Sequence, residues 1–218
     1  MLQLYYGPGA CSFVPHVALE AIKAQSGADF EPKLVKLHKG EHCTPEFLAL
    51  NPNGQVPVLV VESRPLTQIV AICDFLDRRH PEAGLLPADP WERLQAISQL
   101  AWMNSAPHPT FTRVYFPERY AETAAAQAEV KKRAAETFRS FLETLERRIK
   151  GAAGPLWFGE RLSFHDAYAF ALLRWGGYAG IDPASLPAYR AYADRVMKAP
   201  AVAAALGRER IALDTYKG

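Results

Sequence analysis

Near its N-terminus the chain reads Tyr5-Tyr6-Gly7-Pro8-Gly9-Ala10-Cys11-Ser12, where a glycine-proline turn joins a short apolar strand to the start of an amphipathic helix. The first turn of a helix leaves backbone N–H groups unpaired and carries a partial positive charge, so it stabilises an anionic sulfur. We therefore expect a lowered pKa for the Cys11 thiol. The function should depend on that sulfur, or on the thiol of a ligand held beside it.

Strands and helices are predicted to alternate around this turn. Residues 2–6 alternate as a strand does, and the helix that follows is marked by apolar residues at helical spacing, at Val14, Val17, Ala18, Ala21 and Ile22. Pro15 falls in its first turn, where the missing N–H has no helical partner to lose. We predict a second strand over residues 30–37 and a short helix from Thr44 to the turn at residues 51–54.

The next segment predicts two strands and a helix. A β-branched run, Gln55-Val56-Pro57-Val58-Leu59-Val60-Val61, has its proline at the entrance, where a strand tolerates one missing donor. Residues 62–65 turn the chain back, and Thr67 is expected to cap the third helix. The predicted order is strand, helix, strand, helix, strand, strand, helix.

The composition changes at residues 81–90, which read Pro-Glu-Ala-Gly-Leu-Leu-Pro-Ala-Asp-Pro and cannot sustain a regular helix. We place a domain boundary there. Everything beyond it predicts helices: 91 to about 105, about 124 to 150, and three more. One of these follows Ser163, whose spacing to Asp166 resembles a capping box, and it is apolar nearly all round, which predicts burial on every side.

Composition excludes several classes of function. The 25 basic and 23 acidic side chains leave a net charge of +2, so no strong field favours nucleic acid or an anionic membrane. Cys11, Cys43 and Cys73 are too widely spaced for a disulfide framework or a zinc site, and we expect no metal. The N-terminus lacks the features of a secretory signal, and no apolar run reaches the ~20 residues that span a bilayer. These features predict a soluble cytoplasmic protein.

Six motifs, in order along nearly the whole chain, resemble those of the cytosolic glutathione S-transferase family. They are Tyr6-Gly7-Pro8-Gly9-Ala10-Cys11-Ser12, Asn51-Pro52-Asn53-Gly54-Gln55-Val56-Pro57, Leu66-Thr67-Gln68, Phe158-Gly159-Glu160-Arg161-Leu162-Ser163-Phe164-His165-Asp166-Ala167-Tyr168, Leu173-Arg174-Trp175 and Pro200-Ala201-Val202. The first motif looks most like the bacterial beta class, whose members carry a cysteine at the Cys11 position.

The resemblance implies an α+β fold. A thioredoxin-like βαβαββα domain at residues 1–80 would bind glutathione, residues 81–90 would be a linker, and an all-α helical bundle at 91–218 would hold the pocket for an electrophile. It also implies a homodimer in which the first domain of one subunit packs on the second domain of the other.

By the same resemblance, the co-substrate glutathione is bound by Gln55, Val56, Pro57, Gln68, Ile69 and Lys39. In the family the Val-Pro bond is cis, so Val56 offers its backbone to the cysteinyl part of the tripeptide as a strand would. The alternative is a proline that merely starts a strand. Gln68 would grasp the γ-glutamyl group; Ile69 lacks a hydroxyl found there in the family and adds bulk, which predicts weaker affinity. Lys39 could reach the glycine carboxylate, although a solvated loop lysine explains it more simply.

The candidate catalytic residues are Cys11, Ser12, Tyr6 and His108. Cys11 could form a mixed disulfide with glutathione, or Ser12 or Tyr6 could donate a hydrogen bond to the glutathione thiolate; the sequence leaves these open, next to a Cys11 that is only a small buried hydrophobe. His108 resembles the beta-class histidine above the sulfur, although Pro109 replaces the lysine usual after it. The alternative is a surface loop histidine.

Three functions remain open from the sequence. The first is conjugation of the glutathione thiolate to small apolar electrophiles, a detoxification reaction. The second is glutathione-dependent thiol-disulfide exchange through Cys11. The third is a non-catalytic protein of this fold that binds ligands or a protein partner, in whose favour Ile69 and Pro109 are departures from the family pattern.

Overall fold

The computed structural model describes residues 1–217. Within them one sheet is formed by β1 (Leu2–Tyr6), β2 (Phe30–Leu34), β3 (Val58–Val61) and β4 (Arg64–Thr67). The strands lie in the order β2-β1-β3-β4, with β1 parallel to β2 and antiparallel to β3, and β3 antiparallel to β4. Parallel strands need a long crossover, which the helix between β1 and β2 supplies.

The helices of this range follow the predicted order. They are α1 (Phe13–Ser26), α2 (Pro45–Leu50), α3 (Ile69–Arg79), α4 (Pro90–Ser105), α5 (Pro107–Tyr115), α6 (Ala124–Lys150), α7 (Phe164–Tyr178), α8 (Pro187–Met197) and α9 (Pro200–Glu209). The predicted βαβαββα order and the wholly helical remainder are therefore confirmed, as is the α+β fold class.

Apolar packing covers both faces of the sheet. On one face, Leu59 and Val61 of β3 join a core cluster that also contains Phe13 of α1 and Phe170 of α7, whose rings stack with centroids 5.5 Å apart. On the other face, Val58 and Val60 belong to a smaller cluster around α2. The alternation along β3 places α1 between the sheet and the helical part of the chain.

Several predicted boundaries are wrong, each for a local reason. β2 ends at Leu34 rather than at residue 37, because its partner β1 ends at Tyr6, which pairs with Leu34. Thr67 does not cap α3: it is still paired with Val58 in β4, and Gln68 takes the cap position.

The helix α5 was not expected, since its two prolines indicate a loop. Pro107 and Pro109 both lie in the first turn, where a helix needs no N–H donors, so they are compatible with the helix that follows. The helical part of the described chain consequently has one helix more than the five predicted.

The predicted capping box at the start of α7 is present. The Ser163 backbone N–H donates to Asp166 Oδ2 at 2.7 Å, and its hydroxyl donates to the same oxygen at 2.6 Å. Asp166 Oδ1 accepts from the Trp157 N–H at 2.9 Å and from the Tyr192 hydroxyl at 2.5 Å. These bonds fix the residue at which α7 begins, and hence the position of each α7 side chain along the helix axis.

Candidate functional site

The candidate residues come from separate segments that meet at one edge of the sheet. Tyr5 of β1 is paired with Val58 of β3, and Val58 is paired with Thr67 of β4. The residues that follow β1 and β4 therefore lie beside those that precede β3. This register brings the turn before Cys11 to the same edge as Val56 and Gln68.

Cys11 lies directly against the Val56 backbone. Its thiol donates to the Val56 carbonyl oxygen at 3.3 Å, and the Val56–Pro57 peptide bond is cis. Among residues 1–217 the Val56 N–H has no hydrogen-bond partner, because the ladder with β1 begins two residues later. A length of backbone with a free N–H thus runs next to the sulfur.

The lowered pKa expected for Cys11 is wrong. Only 8 % of the residue is exposed, and burial raises the pKa of its thiol to about 12. The N–H groups of Cys11 and Ser12 act in the opposite direction but are outweighed by the loss of solvent. Cys11 is consequently a neutral thiol at neutral pH.

Ser12 and Tyr6 have structural partners of their own. Ser12 is fully buried; its hydroxyl accepts from the Gly7 N–H at 3.1 Å and donates to the Gly7 carbonyl oxygen at 3.2 Å, closing the turn. Tyr6 lies on the α1 side of the sheet with its ring 4.9 Å from that of His16. Burial, and then the nearby Glu209 carboxylate, raises the pKa of Tyr6, so its hydroxyl keeps its proton.

Gly9 anchors the turn to the helical part of the chain. Its N–H donates to Glu209 Oε2 at 2.8 Å, and its carbonyl oxygen accepts from Trp175 Nε1 at 2.9 Å. The other Glu209 oxygen lies 2.7 Å from His16 Nδ1, and both side chains are fully buried. Gly9 has a positive φ of 70°, and a Cβ there would lie 2.7 Å from the Arg174 guanidinium. The positive φ and the close arginine both favour glycine at this position.

Sequence reasoning missed this anchor. His16 carries no local sequence signal of a polar role, and its partner Glu209 lies 193 positions further along the chain. No local pattern marks such a pair. The only available signal was the Leu173-Arg174-Trp175 motif, which supplies two of the side chains around Gly9.

His108 is not a loop histidine: it lies in the first turn of α5. Its Nδ1 is 2.9 Å from the Tyr168 hydroxyl, and its ring is 5.0 Å from that of Trp175, the side chain that holds Gly9. Burial lowers the pKa of His108 to about 4, so the ring is neutral at pH 7. A neutral imidazole beside the Cys11 turn can donate at one nitrogen and accept at the other.

Gln68 and Ile69 begin α3 at the same edge. Gln68 is exposed and has a positive φ of 72°, which is rare for a residue other than glycine. We expected Ile69 to add bulk to the site, but it does not. Its side chain is only 3 % exposed and belongs to the core. The first N–H groups of α3 have no helical partners and can meet a carboxylate.

Gln55 and Lys39 are exposed at this edge. The Gln55 carbonyl oxygen accepts from Asn51 Nδ2 at 2.7 Å, which leaves its side chain free to turn outwards. Lys39 ends a short 3-10 turn after β2 and makes no ion pair within residues 1–217. Neither side chain hydrogen-bonds to another candidate residue within residues 1–217.

Aromatic side chains line the wall next to His108. Phe111 stacks on Trp175 with centroids 4.8 Å apart and planes 10° apart. Tyr115 and Tyr178 continue this wall to the surface, where they are 51 % and 39 % exposed. Trp102 lies elsewhere, against Phe141. Phe111 and Trp175 are themselves buried, so only the outer end of the wall, at Tyr115 and Tyr178, presents aromatic surface to solvent.

Two features are absent from residues 1–217. No group of three or more histidine, cysteine or carboxylate side chains there is arranged to hold a metal ion. None of the helices has the length and apolarity needed to cross a membrane.

Comparison with known proteins agrees with this geometry. The family profile "Glutathione S-transferase, N-terminal domain" matches residues 1–78. The chain is 34% identical over 212 residues to glutathione S-transferase GST-4.5 of Xanthomonas campestris. The aligned residues cover 95% of this chain and 98% of that protein.

Solved structures give the same result. A sphingomonad glutathione S-transferase in complex with glutathione is 34% identical, with a TM-score of 0.81 over 96% of this chain and 100% of that one. The bacterial beta class enzyme of Sphingomonas chungbukensis is 32% identical, with a TM-score of 0.79 over 95% of this chain and 98% of that one. The thioredoxin-like first part is thus confirmed. With a near-full-length relative above 30% identity, the chain belongs to the glutathione S-transferase family of enzymes.

Proposed function

We propose that the protein conjugates the thiolate of glutathione to small apolar electrophiles. One observation carries the proposal: the Val56 backbone, with a free N–H, runs beside the Cys11 turn at the end of the sheet where β1 ends and β3 begins. The cysteinyl part of an extended peptide can pair with that backbone as an added strand. Its sulfur would then lie at the N-terminal end of α1.

The remaining edge residues suit the two ends of the tripeptide. The γ-glutamyl carboxylate fits the free N–H groups at the start of α3 and the exposed Gln68 side chain. By the family resemblance, Lys39 would meet the glycine carboxylate, and Gln55 and Pro57 would contact the tripeptide between its two ends. Since the Ile69 side chain is buried, we no longer expect it to weaken binding.

Activation of the bound thiol would be electrostatic. Unpaired N–H groups in the turn at Cys11 and Ser12 stabilise a thiolate, and neutral His108 is available to accept a proton. One pKa unit corresponds to about 1.4 kcal/mol, so a thiol of ordinary pKa, about 8.5, needs about 2 kcal/mol from such interactions to be half ionised at pH 7. Ser12 would serve by shaping the turn rather than by donating to the sulfur, because its proton goes to Gly7.

The same proposal covers organisation and setting. Residues 1–80 would bind glutathione, 81–90 would link the two parts, and 91–218 would hold the electrophile against the exposed end of the aromatic wall, at Tyr115 and Tyr178. A homodimer is supported by Trp91 and Leu94 on α4, which are 67 % and 59 % exposed one turn apart. We place the enzyme in the cytoplasm, with detoxification as its role.

Thiol-disulfide exchange through Cys11 is the second candidate. It is favoured by the contact between the Cys11 sulfur and the Val56 backbone, where the sulfur of glutathione would also lie. The raised pKa of Cys11 argues against it, since the attacking species is a thiolate. Cys11→Ala separates the two: exchange should vanish, whereas conjugation should persist. For a non-catalytic binding protein, Pro109 remains the one supporting departure, as Ile69 is part of the core.

Calorimetric titration with glutathione tests the proposal. We expect saturable binding, weakened at least tenfold in Gln68→Ala and unchanged in Gln95→Ala, an exposed glutamine on α4 that serves as the matched control. Turnover is measured with an aryl chloride activated by nitro groups. Absence of binding at millimolar glutathione, or binding with no turnover of any electrophile, would overturn the proposed function.

A further inference from the structure

A buried tyrosine of α7 connects His108 to a second polar side chain. The Tyr168 hydroxyl lies 2.9 Å from His108 Nδ1 and 3.2 Å from Asn104 Oδ1 on α4, and Tyr168 is fully buried. We infer that Tyr168, oriented by Asn104, is a positioning residue that keeps the His108 proton on Nδ1 and leaves Nε2 as the acceptor of the thiol proton. This inference rests on the proposed function of His108.

Counting protons gives the direction of each bond. A tyrosine hydroxyl has one proton, and an amide oxygen can only accept, so the Tyr168 proton goes to Asn104 Oδ1. The remaining bond must then run from His108 Nδ1–H to the Tyr168 oxygen. A neutral imidazole carries one proton, and Nε2 is therefore left with its lone pair.

This orientation allows His108 to be protonated without rearrangement. When the S–H bond of glutathione breaks, its proton forms an N–H bond at Nε2 and the electron pair remains on sulfur. The resulting imidazolium keeps its Nδ1–H bond to Tyr168; because burial lowers the pKa of His108 to about 4, this cation needs the negative charge of the neighbouring thiolate to stabilise it. In the opposite orientation, Tyr168 donates to Nδ1 and the ring proton is on Nε2. Nε2 then has no lone pair for the thiol proton, and the chain of bonds would have to reverse first.

One helix sets both partners of the reaction. Tyr168 and Trp175 both belong to α7; Tyr168 holds the His108 ring, and Trp175 holds the carbonyl oxygen of Gly9, two residues before Cys11. The positions of Tyr168 and Trp175 along the axis of α7 are fixed relative to each other, because α7 begins at the capping box of Ser163 and Asp166. The ring and the sulfur-binding turn are thereby held in register.

The test combines three variants with nitrogen chemical shifts of the His108 ring. Tyr168→Phe removes the hydroxyl, Asn104→Asp retains an acceptor that cannot donate, and Tyr189→Phe is the control. Tyr189 is equally buried and also bonds to α7, through the Ala169 carbonyl oxygen at 2.5 Å, but does not contact His108. The unaltered enzyme and Asn104→Asp should show the Nδ1–H tautomer, and Tyr168→Phe a mixture.

Turnover gives the second readout. Tyr168→Phe should lower kcat/KM about 10- to 100-fold, mainly through kcat, whereas Tyr189→Phe should leave kcat/KM unchanged. A protonated Nε2 in the unaltered enzyme, or equal turnover in the two phenylalanine variants, overturns the inference. His108→Gln shows whether the inference or the proposed function has failed. Full turnover in that variant refutes the proposed role of His108 itself, while the chemical shifts of the unaltered enzyme still decide the tautomer.

Discussion

Two of the polar contacts that join the sheet-bearing part of the chain to the helical part differ in what they hold. The site-end contact is that of Glu209 with His16 and Gly9, and its side chains are fully buried. The linker-end contact is that of Arg93 with Asp74 and Asp77, in which Arg93 is 20 % exposed. The site-end contact fixes the turn before Cys11, whereas the linker-end contact fixes the segment between α3 and α4.

The difference shows that a buried polar contact can be tied to function through backbone alone. Glu209 touches no candidate catalytic side chain, yet it receives the Gly9 N–H and so determines where the turn lies. Asp77 makes a comparable bond to the Leu86 N–H at 3.0 Å, but that bond orders only the linker. Removing either carboxylate should therefore cost stability, and only one removal should cost binding.

The largest effect is expected from Glu209→Ala. It leaves the Gly9 N–H and His16 without their partner in a site closed to water, which should cost about 3–5 kcal/mol of unfolding free energy. The affinity for glutathione should fall as well, because the turn is no longer held. Urea unfolding and calorimetry measure the two changes; a normal dissociation constant at this stability would break the comparison.

Asp77→Ala should have a smaller effect of a different kind. The Leu86 N–H and Arg93 lose an acceptor, but Arg93 keeps Asp74 at 2.8 Å and part of its solvent contact, so we expect a loss of about 1–3 kcal/mol. Glutathione affinity should stay unchanged, as no site residue is held by this contact. A fall in affinity like that of Glu209→Ala would show that the two contacts are coupled.

The pH dependence of stability reports on Cys11 at the site end. Its pKa is raised from 9.0 to about 12 in the folded protein, so folding is favoured by its neutral form below pH 9, and this contribution is lost as the pH rises from 9 to 12. Relative to Cys11→Ala, the unaltered protein should lose about 1.4 kcal/mol between pH 7 and pH 10. Parallel stability curves for the two proteins would contradict the burial of this thiol.

The smallest effect is expected at Ile69, which belongs to neither contact. Ile69→Val should cost about 0.5–1.5 kcal/mol by removing one buried methylene from the core. The dissociation constant of glutathione should not change, since the site meets only the backbone at this position. Tighter binding in Ile69→Val would restore the interpretation that the side chain obstructs the ligand.

The sequence predicted what depends on local patterns. The bounds of α6 follow from helical spacing, the start of α7 from the Ser163–Asp166 spacing, and the cis bond at Pro57 from the family motif. In each case the residues that decide the structure are close together in the sequence, so a local pattern is enough to predict it.

What could not be predicted depends on contacts between distant segments. Cys11 has the local surroundings of an acidic thiol, but the helical part of the chain and Val56 bury it, and desolvation outweighs the helix N-terminus. The bond from Gly9 to Glu209 joins residues 200 positions apart. The helix α5 was missed because prolines forbid a helix interior but not a first turn, and sequence alone did not show which applied.

The backbone of Gln68 leads to one more conclusion. Its positive φ should cost about 1–3 kcal/mol in a residue with a side chain, and glycine would adopt the same conformation without that penalty. At this position the requirements of folding and of the proposed glutathione binding are opposed: a screen for thermal stability of the protein alone would select glycine, and would discard the side-chain amide that we propose binds the tripeptide. Engineering for robustness should leave this residue untouched.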